Sequence, residues 1–357
     1  MPFINYASIY SLLVITILRV YTCEAIVKFN VTVSAFFAFG DSILDSGNNN
    51  NQLTLLRCNF PPYGRDFMGG KATGRYCNGK NPADILVEKL GLKEVLPAYL
   101  DPNIQSKDLL TGVNFASGGA GYDSLTSEKV SAIPLTKQLR MFEEYMGKVK
   151  EFVGEEAARK ITANSVSMVS ASSNDIANTY FLNSFRPEFN ISGYTDLLAA
   201  SASDFLDGLY NRGARKIGVF GAPPLGCLPI IRTFKGAEHR SCVTNLNEAA
   251  QLFNSKLKVV LHNLKAKYPD SRIVLIDDYT IVNDMIQAPE TYGFEVSDKG
   301  CCGTGTFEVG ILCNQWTLNS CFDASKYVFW DSYHPTEAAY RVVVDHVYQN
   351  IINGLLL

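Results

Sequence analysis

Five short β-favouring runs limit the folds open to this chain more than any other feature. They lie at 34–39, 112–116, 165–171, 216–221 and 272–277. Each is continuously apolar rather than alternating, the pattern of a strand buried on both faces. Between them lie helical patterns at 135–150, 194–212 and 245–267, and a last one at 342–352 closes the chain. Asn81-Pro82 supplies a further helix with an N-cap and a first-turn proline. Strand–helix alternation repeated in this way predicts an α/β fold, a parallel sheet covered by helices on both sides. No repeat, linker or charge run divides the chain, so 26–357 reads as a single domain. In such sheets ligands sit outside the carboxyl ends of the strands, so chemistry is to be sought just after each run.

Composition narrows the partners and the compartment. The 357 residues carry 32 basic and 35 acidic side chains, a net charge of −3, with no basic block, which excludes a nucleic-acid partner. An apolar stretch at 10–18 runs toward Cys23-Glu24-Ala25, where Ala25 is a small residue suited to cleavage. Residues 1–25 therefore read as a signal peptide. The uninterrupted apolar part falls short of the ~20 residues of a spanning helix, so no stable membrane span is expected. Cleavage removes Cys23 from the nine cysteines and leaves an even set at 58, 77, 227, 242, 301, 302, 313 and 321. An even set fits disulfides in an oxidising compartment, and a secreted, extracellular protein. Cys58 with Cys77 and Cys227 with Cys242 are plausible short-loop pairs, leaving four in the 301–321 cluster. Zinc fits that cluster poorly, because Cys301 and Cys302 are adjacent and no histidine lies nearby. The triplets Asn30-Val31-Thr32 and Asn190-Ile191-Ser192 are candidate glycosylation sites.

The chemistry begins after the first run. Phe36–Phe39 leads into Gly40-Asp41-Ser42, which puts Ser42 at a strand's carboxyl end, where a nucleophile is well placed. A lone serine there is more commonly a turn residue or a helix cap. A serine nucleophile needs a base and the base an orienting group. Of the four histidines, His262 and His346 fall within helical patterns and His239 in a polar loop. His334 differs: it lies in Asp331-Ser332-Tyr333-His334-Pro335, with Pro335 expected at the first position of the last helix. Asp331, three residues upstream, can reach the imidazole Nδ1 and leave Nε2 facing a serine. A capping aspartate beside a structural histidine reads about as well from that segment alone. An oxyanion needs preorganised donors. The loop Ser117-Gly118-Gly119 after the second run and Asn174 after the third can supply them, although a plain turn and an N-cap are the simpler readings of each. Asp41 and Asp45 read as turn-forming residues. Gly74–Lys80 nearly matches a phosphate-binding loop but lacks the final Ser or Thr and a preceding strand. There is no G-x-S-x-G elbow.

Taken together, FAFGDSILDSGNNN, GVNFASGGAGYD, SNDIANTY and DSYHPTEAAY, with NFPPYGRDF, GAPPLGCLP and CCGTG, strongly resemble the plant GDSL esterase/lipase family of the SGNH hydrolase superfamily. The resemblance runs from about Phe36 to the C-terminus. It implies a flavodoxin-like three-layer α/β/α sandwich with about five parallel strands. It implies Ser42 as nucleophile, His334 as general base and then acid, and Asp331 as its orienting group. The implied oxyanion hole comprises Ser42 N–H, Gly119 N–H (Gly118 the alternative) and the Asn174 side chain, with no metal or organic cofactor. The implied substrate is an ester: a lipid, a small acyl ester or an acetylated polysaccharide. Ser172 stands where the family usually has glycine, which puts the placement of the Asn174 donor in question. The expected activity is carboxylic-ester hydrolysis through an acyl-enzyme. An acyltransferase with the same triad, or a weakly active extracellular binding protein, are the competing readings.

Overall fold

The computed structural model describes residues 33–316 and 320–357. The leader at 1–25, Cys23 and the Asn30 triplet lie outside the described residues. Four strands, β1 (Phe36–Gly40), β2 (Val166–Ser170), β3 (Lys216–Phe220) and β4 (Arg272–Ile276), pair in parallel in that order. The run at 112–116, expected as a fifth strand, lies along the free edge of β1 but forms only a single bridge there, Ala38 with Asn114. Phe115 N–H donates to Ala38 C=O at 2.8 Å and Ser117 N–H to Gly40 C=O at 2.9 Å. On its other side Asn114 bridges Ala98, donating its N–H to Pro97 C=O and accepting from Tyr99 N–H, both at 2.9 Å, so the run lies between β1 and the 97–99 segment.

The two faces of the sheet are sorted by strand alternation. Phe37 and Phe39 of β1 point into a core shared with α2 (Leu135–Val153), α3 (Ile191–Asn211) and α4 (Thr244–Lys267). Phe36 and Ala38 point into the opposite core, shared with α1 (Pro82–Lys89) and α5 (Glu337–Ile351). The result is a three-layer α/β/α sandwich. Every residue of β1 is buried, and each phenylalanine so placed contributes roughly 1.5–3 kcal/mol. Phe39 stacks on Phe115 with ring centroids 5.1 Å apart and meets Phe142 of α2 edge-on at 5.5 Å, which fixes the end of β1. The helix at Asn81-Pro82 forms as expected: the Asn81 side chain accepts from Asp84 N–H at 3.0 Å and Asp84 accepts from Asn81 N–H at 3.1 Å. The near-match to a phosphate-binding loop runs as a loop into α1, where Lys80 Nζ is paired with Glu88 at 2.9 Å.

A small second sheet, β5 (Val296–Gly300) with β6 (Tyr327–Phe329), precedes α5. Disulfides Cys227–Cys242, Cys301–Cys321 and Cys302–Cys313 are formed. The expected Cys58–Cys77 bridge is not: both thiols are free and buried. The Cys77 thiol donates instead to Gly79 C=O at 3.0 Å. Among the described residues no helix is long and apolar enough to cross a membrane.

Candidate active site

The site is built on one glycine. At Gly40 the backbone has φ +120°, and a Cβ there would stand 1.8 Å from Ser170 C=O of β2. Only glycine permits this approach. Gln138 of α2 then clamps the turn, accepting from Gly40 N–H at 2.8 Å and donating to Gly40 C=O at 2.9 Å. Asp41 N–H donates to Ser170 C=O at 2.8 Å, and Ser42 emerges at the carboxyl end of the sheet.

The other limb comes from the turn before α5. Asp331 Oδ1 accepts the N–H groups of Tyr333 at 2.8 Å and His334 at 2.6 Å, so the carboxylate organises the turn that carries the histidine. His334 Nδ1 lies 2.9 Å from Asp331 Oδ2 and 3.0 Å from Oδ1. His334 Nε2 lies 2.8 Å from Ser42 Oγ. A carboxylate on Nδ1 selects the tautomer whose Nε2 lone pair accepts from the serine hydroxyl. Asp331 is fully buried and His334 nearly so, whereas His239, His262 and His346 are exposed. The helix begins at Glu337, two residues later than expected. Thr336 is the N-cap, accepting from Ala339 N–H at 3.1 Å, and Pro335 precedes it in a bridge to Phe329. A hydroxyl can accept the free amide of the first turn, whereas His334, the residue before Pro335, has both ring nitrogens engaged with Asp331 and Ser42.

The loop after the 112–116 run is held by the asparagine run that follows Ser42. Asn48 donates to Asn114 and Ala116 C=O at 2.9 and 2.7 Å, and Asn49 donates to Gly118 C=O at 2.9 Å. Asp45 accepts from Gly47 and Asn48 N–H at 2.7 and 2.8 Å and from Gly118 N–H at 2.9 Å. Gly118 N–H is therefore already committed, which separates it from Gly119. The N–H groups of Gly119 and Ser42 have no acceptor among the described residues. Gly119 has φ +88°, and a Cβ there would meet Leu56 at 2.4 Å.

Asn174 opens a π-helical segment, Asn174–Leu182, directly after β2 rather than capping an α-helix. Its amide donates one hydrogen to Ala120 C=O at 2.9 Å and its Oδ1 accepts from Asn178 at 3.0 Å, which leaves one amide hydrogen uncommitted. Ser172 is not among the residues of positive φ. A glycine there would relieve no left-handed strain.

Burial sets the electrostatics. Asp41 is pushed up to about 7, mainly by burial, with opposing help from its bond to Ile43 N–H and from His334. Asp45 is pushed up to about 6, again mainly by burial. Both act as turn and loop holders, as expected. Ile43 and Tyr333, the sequence neighbours of Ser42 and His334, line a small, largely apolar cavity of about 40 Å³ together with Phe220, Leu225, Leu228 and Val282. Asp278 borders it, and burial raises that carboxyl well above its usual range. No grouping of three His, Cys, Asp or Glu side chains suited to a metal occurs among the described residues. Asn190 is exposed at the N-cap of α3, its side chain accepting from Gly193 N–H at 2.8 Å.

Sequence reasoning gave no role to Gln138, to Asn48 and Asn49, or to Tyr63. Tyr63 lies in the block NFPPYGRDF, and its hydroxyl donates to Asp331 Oδ2 at 2.7 Å. The block itself was the available signal.

A family model described as GDSL-like Lipase/Acylhydrolase matches residues 36–347. A GDSL esterase/lipase of Arabidopsis thaliana is 53% identical over 327 residues, 92% of this chain and 88% of its own. A second from the same plant, GDSL esterase/lipase EXL3, is 53% identical over 321 residues, 90% of this chain and 88% of its own. Among solved structures, an acetylxylan esterase from Geobacillus stearothermophilus aligns with 11% identity over 89% of this chain and 94% of its own. Its TM-score is 0.38.

Proposed function

Because the chain belongs to the GDSL-like lipase/acylhydrolase family and is a carboxylic ester hydrolase, we propose that it cleaves its ester through an acyl-enzyme on Ser42. The observation that carries this reading is the unbroken buried chain from Asp331 through His334 to Ser42, with 2.9 Å and 2.8 Å links. In the proposed reaction His334 Nε2 takes the Ser42 proton as Oγ attacks the ester carbonyl. Asp331 holds the ring and stabilises the imidazolium that forms. The developing oxyanion is met by the N–H groups of Ser42 and Gly119 and by the uncommitted amide hydrogen of Asn174. Imidazolium returns the proton to the leaving alcohol, and water activated by the same histidine releases the acid.

The small apolar cavity lined by Ile43 and Tyr333 suits a short, uncharged acyl or alcohol group, such as that of a small acyl ester; a lipid or an acetylated polysaccharide would have to lie mostly outside it. The chain enters the secretory route, losing residues 1–25 and exposing Asn30 and Asn190 to glycosylation. Three disulfides support this reading, since such bridges persist in oxidising compartments.

The test is turnover of p-nitrophenyl acetate and longer p-nitrophenyl esters, with and without an added alcohol. Hydrolysis lost in Ser42→Ala, with free acid as the product even when alcohol is present, supports the hydrolase. Acyl transfer to the alcohol as the main product instead identifies a transferase. Equal turnover by wild type and Ser42→Ala refutes the proposal.

A further inference from the structure

Asp331 has one donor that the triad itself does not explain. The Tyr63 hydroxyl, from the loop before α1, donates to Oδ2 at 2.7 Å, the same oxygen that receives His334 Nδ1 at 2.9 Å. Oδ1 is occupied by the two backbone amides of the histidine turn. A phenol has one proton, and its direction is set by what the oxygen accepts. Here that oxygen accepts from Gly310 N–H at 2.8 Å, which leaves the proton aimed at the carboxylate.

Gly310 is itself fixed. It lies within the loop closed by Cys302–Cys313. That loop is joined to the segment around Asp331 by Cys302 N–H to Trp330 C=O at 2.8 Å and Ser332 N–H to Glu308 C=O at 2.9 Å. The Tyr63 ring is held edge-on between Phe60 at 5.9 Å and Trp330 at 6.2 Å. Both Tyr63 and Asp331 are buried, so no water competes for the bond.

We propose that Tyr63 is a positioning residue of the reaction: through its Oη–Oδ2 bond it locks the rotation of the Asp331 carboxylate, and so transmits the rigidity of the disulfide-closed loop to the His334 ring. This rests on the acyl-enzyme reading above. With the bond in place, both carboxylate oxygens are committed and the plane that His334 Nδ1 meets is fixed. Without it, Oδ2 has only the histidine, and the ring gains freedom at the moment it must face Ser42. Burial first, and then the Asp331 charge, raise the Tyr63 phenol far above its usual range, so it keeps the proton it donates. The bond also draws negative charge off Asp331. Its loss therefore leaves more charge to stabilise an imidazolium, and the histidine is freed for catalysis only at higher pH. Other titratable groups around this chain are Asp41, Asp45, Cys58, Tyr76, Tyr333 and Tyr340, and all remain in the variant.

The experiment compares wild type, Tyr63→Phe and Tyr145→Phe on p-nitrophenyl acetate. Tyr145 is a buried tyrosine remote from the site, whose hydroxyl donates to Leu109 C=O at 2.7 Å. It controls for the loss of a buried hydroxyl. Tyr63→Phe is expected to lower kcat about 10- to 100-fold with KM within about twofold. Its acid limb of kcat/KM moves up by roughly half a pH unit. Tyr145→Phe moves neither. If Tyr63→Phe does not fold, 3-fluorotyrosine at position 63 replaces it: a more acidic phenol donates more strongly, and the acid limb moves down. The proposal is overturned if the acid limb stays in place in the folded Tyr63 variant, whichever is used, or if the kcat of folded Tyr63→Phe falls no further than that of Tyr145→Phe. Wild-type turnover that survives Ser42→Ala sinks the acyl-enzyme reading instead, so the two failures are distinguishable.

Discussion

Replacing Asn174 by alanine separates a transition-state donor from a structural residue. The side chain makes two bonds in the resting site, to Ala120 C=O and from Asn178, and has one amide hydrogen left over. In Asn174→Ala the oxyanion retains two of its three proposed donors. Removing one such donor costs about 3 kcal/mol in the transition state, so kcat should fall roughly 10²- to 10³-fold. KM should stay within about twofold, because the charge that the amide meets exists only once the tetrahedral adduct forms. The same change strands the buried Ala120 carbonyl and the Asn178 amide, which costs a further ~1–3 kcal/mol of folding stability. The assay is steady-state hydrolysis of p-nitrophenyl acetate well below the melting temperature of the variant, with the folded fraction measured by circular dichroism. A folded Asn174→Ala enzyme with kcat within about threefold of wild type would falsify the donor role.

Two further perturbations probe the scaffold. In Gly40→Ala the new methyl would stand 1.8 Å from the Ser170 carbonyl at a φ of +120°. The central sheet cannot yield there, so destabilisation above ~4 kcal/mol and loss of soluble protein are expected; a normal melting temperature would contradict the packing described. Asp41 is pushed up from 3.8 to about 7 on folding, so the native state holds a proton that the unfolded chain has lost. Stability from this group is intact below its unfolded value and falls as pH rises through the window up to about 7. Between about pH 5 and about pH 8 the loss is at most roughly 3 kcal/mol. Urea melts at both pH values should show Asp41→Asn losing less stability than wild type, and equal losses would refute the assignment.

The fold was legible because its strands are buried on both faces. Phe36, Phe37, Ala38 and Phe39 form an unbroken apolar run, and the structure sends them alternately into two cores. The 112–116 run, interrupted by Asn114, keeps only single bridges to Ala38 on one side and Ala98 on the other, partners that local pattern cannot reveal. The Cys58–Cys77 pairing failed for a similar reason. Short sequence separation says nothing of where a thiol points, and Cys77 points at its own loop. In the site, Ser42, Asp331 and His334 were legible because each lies at a strand end or a helix start. Gln138 and Tyr63 reach the site from distant segments, at separations of 98 and 268 residues from their partners Gly40 and Asp331. Nothing periodic in the chain marks such contacts. Gly118 and Gly119 could be separated only when Asp45 was seen to hold Gly118 N–H.

The central claim is that Ser42 forms a covalent adduct. Treating the mature protein with an alkyl fluorophosphonate and measuring intact and peptide masses tests it directly. One phosphonyl group per chain, on the peptide carrying Ser42 and absent from Ser42→Ala, is the predicted result. An unlabelled protein that nevertheless hydrolyses esters, or a label carried equally by Ser42→Ala, would contradict it.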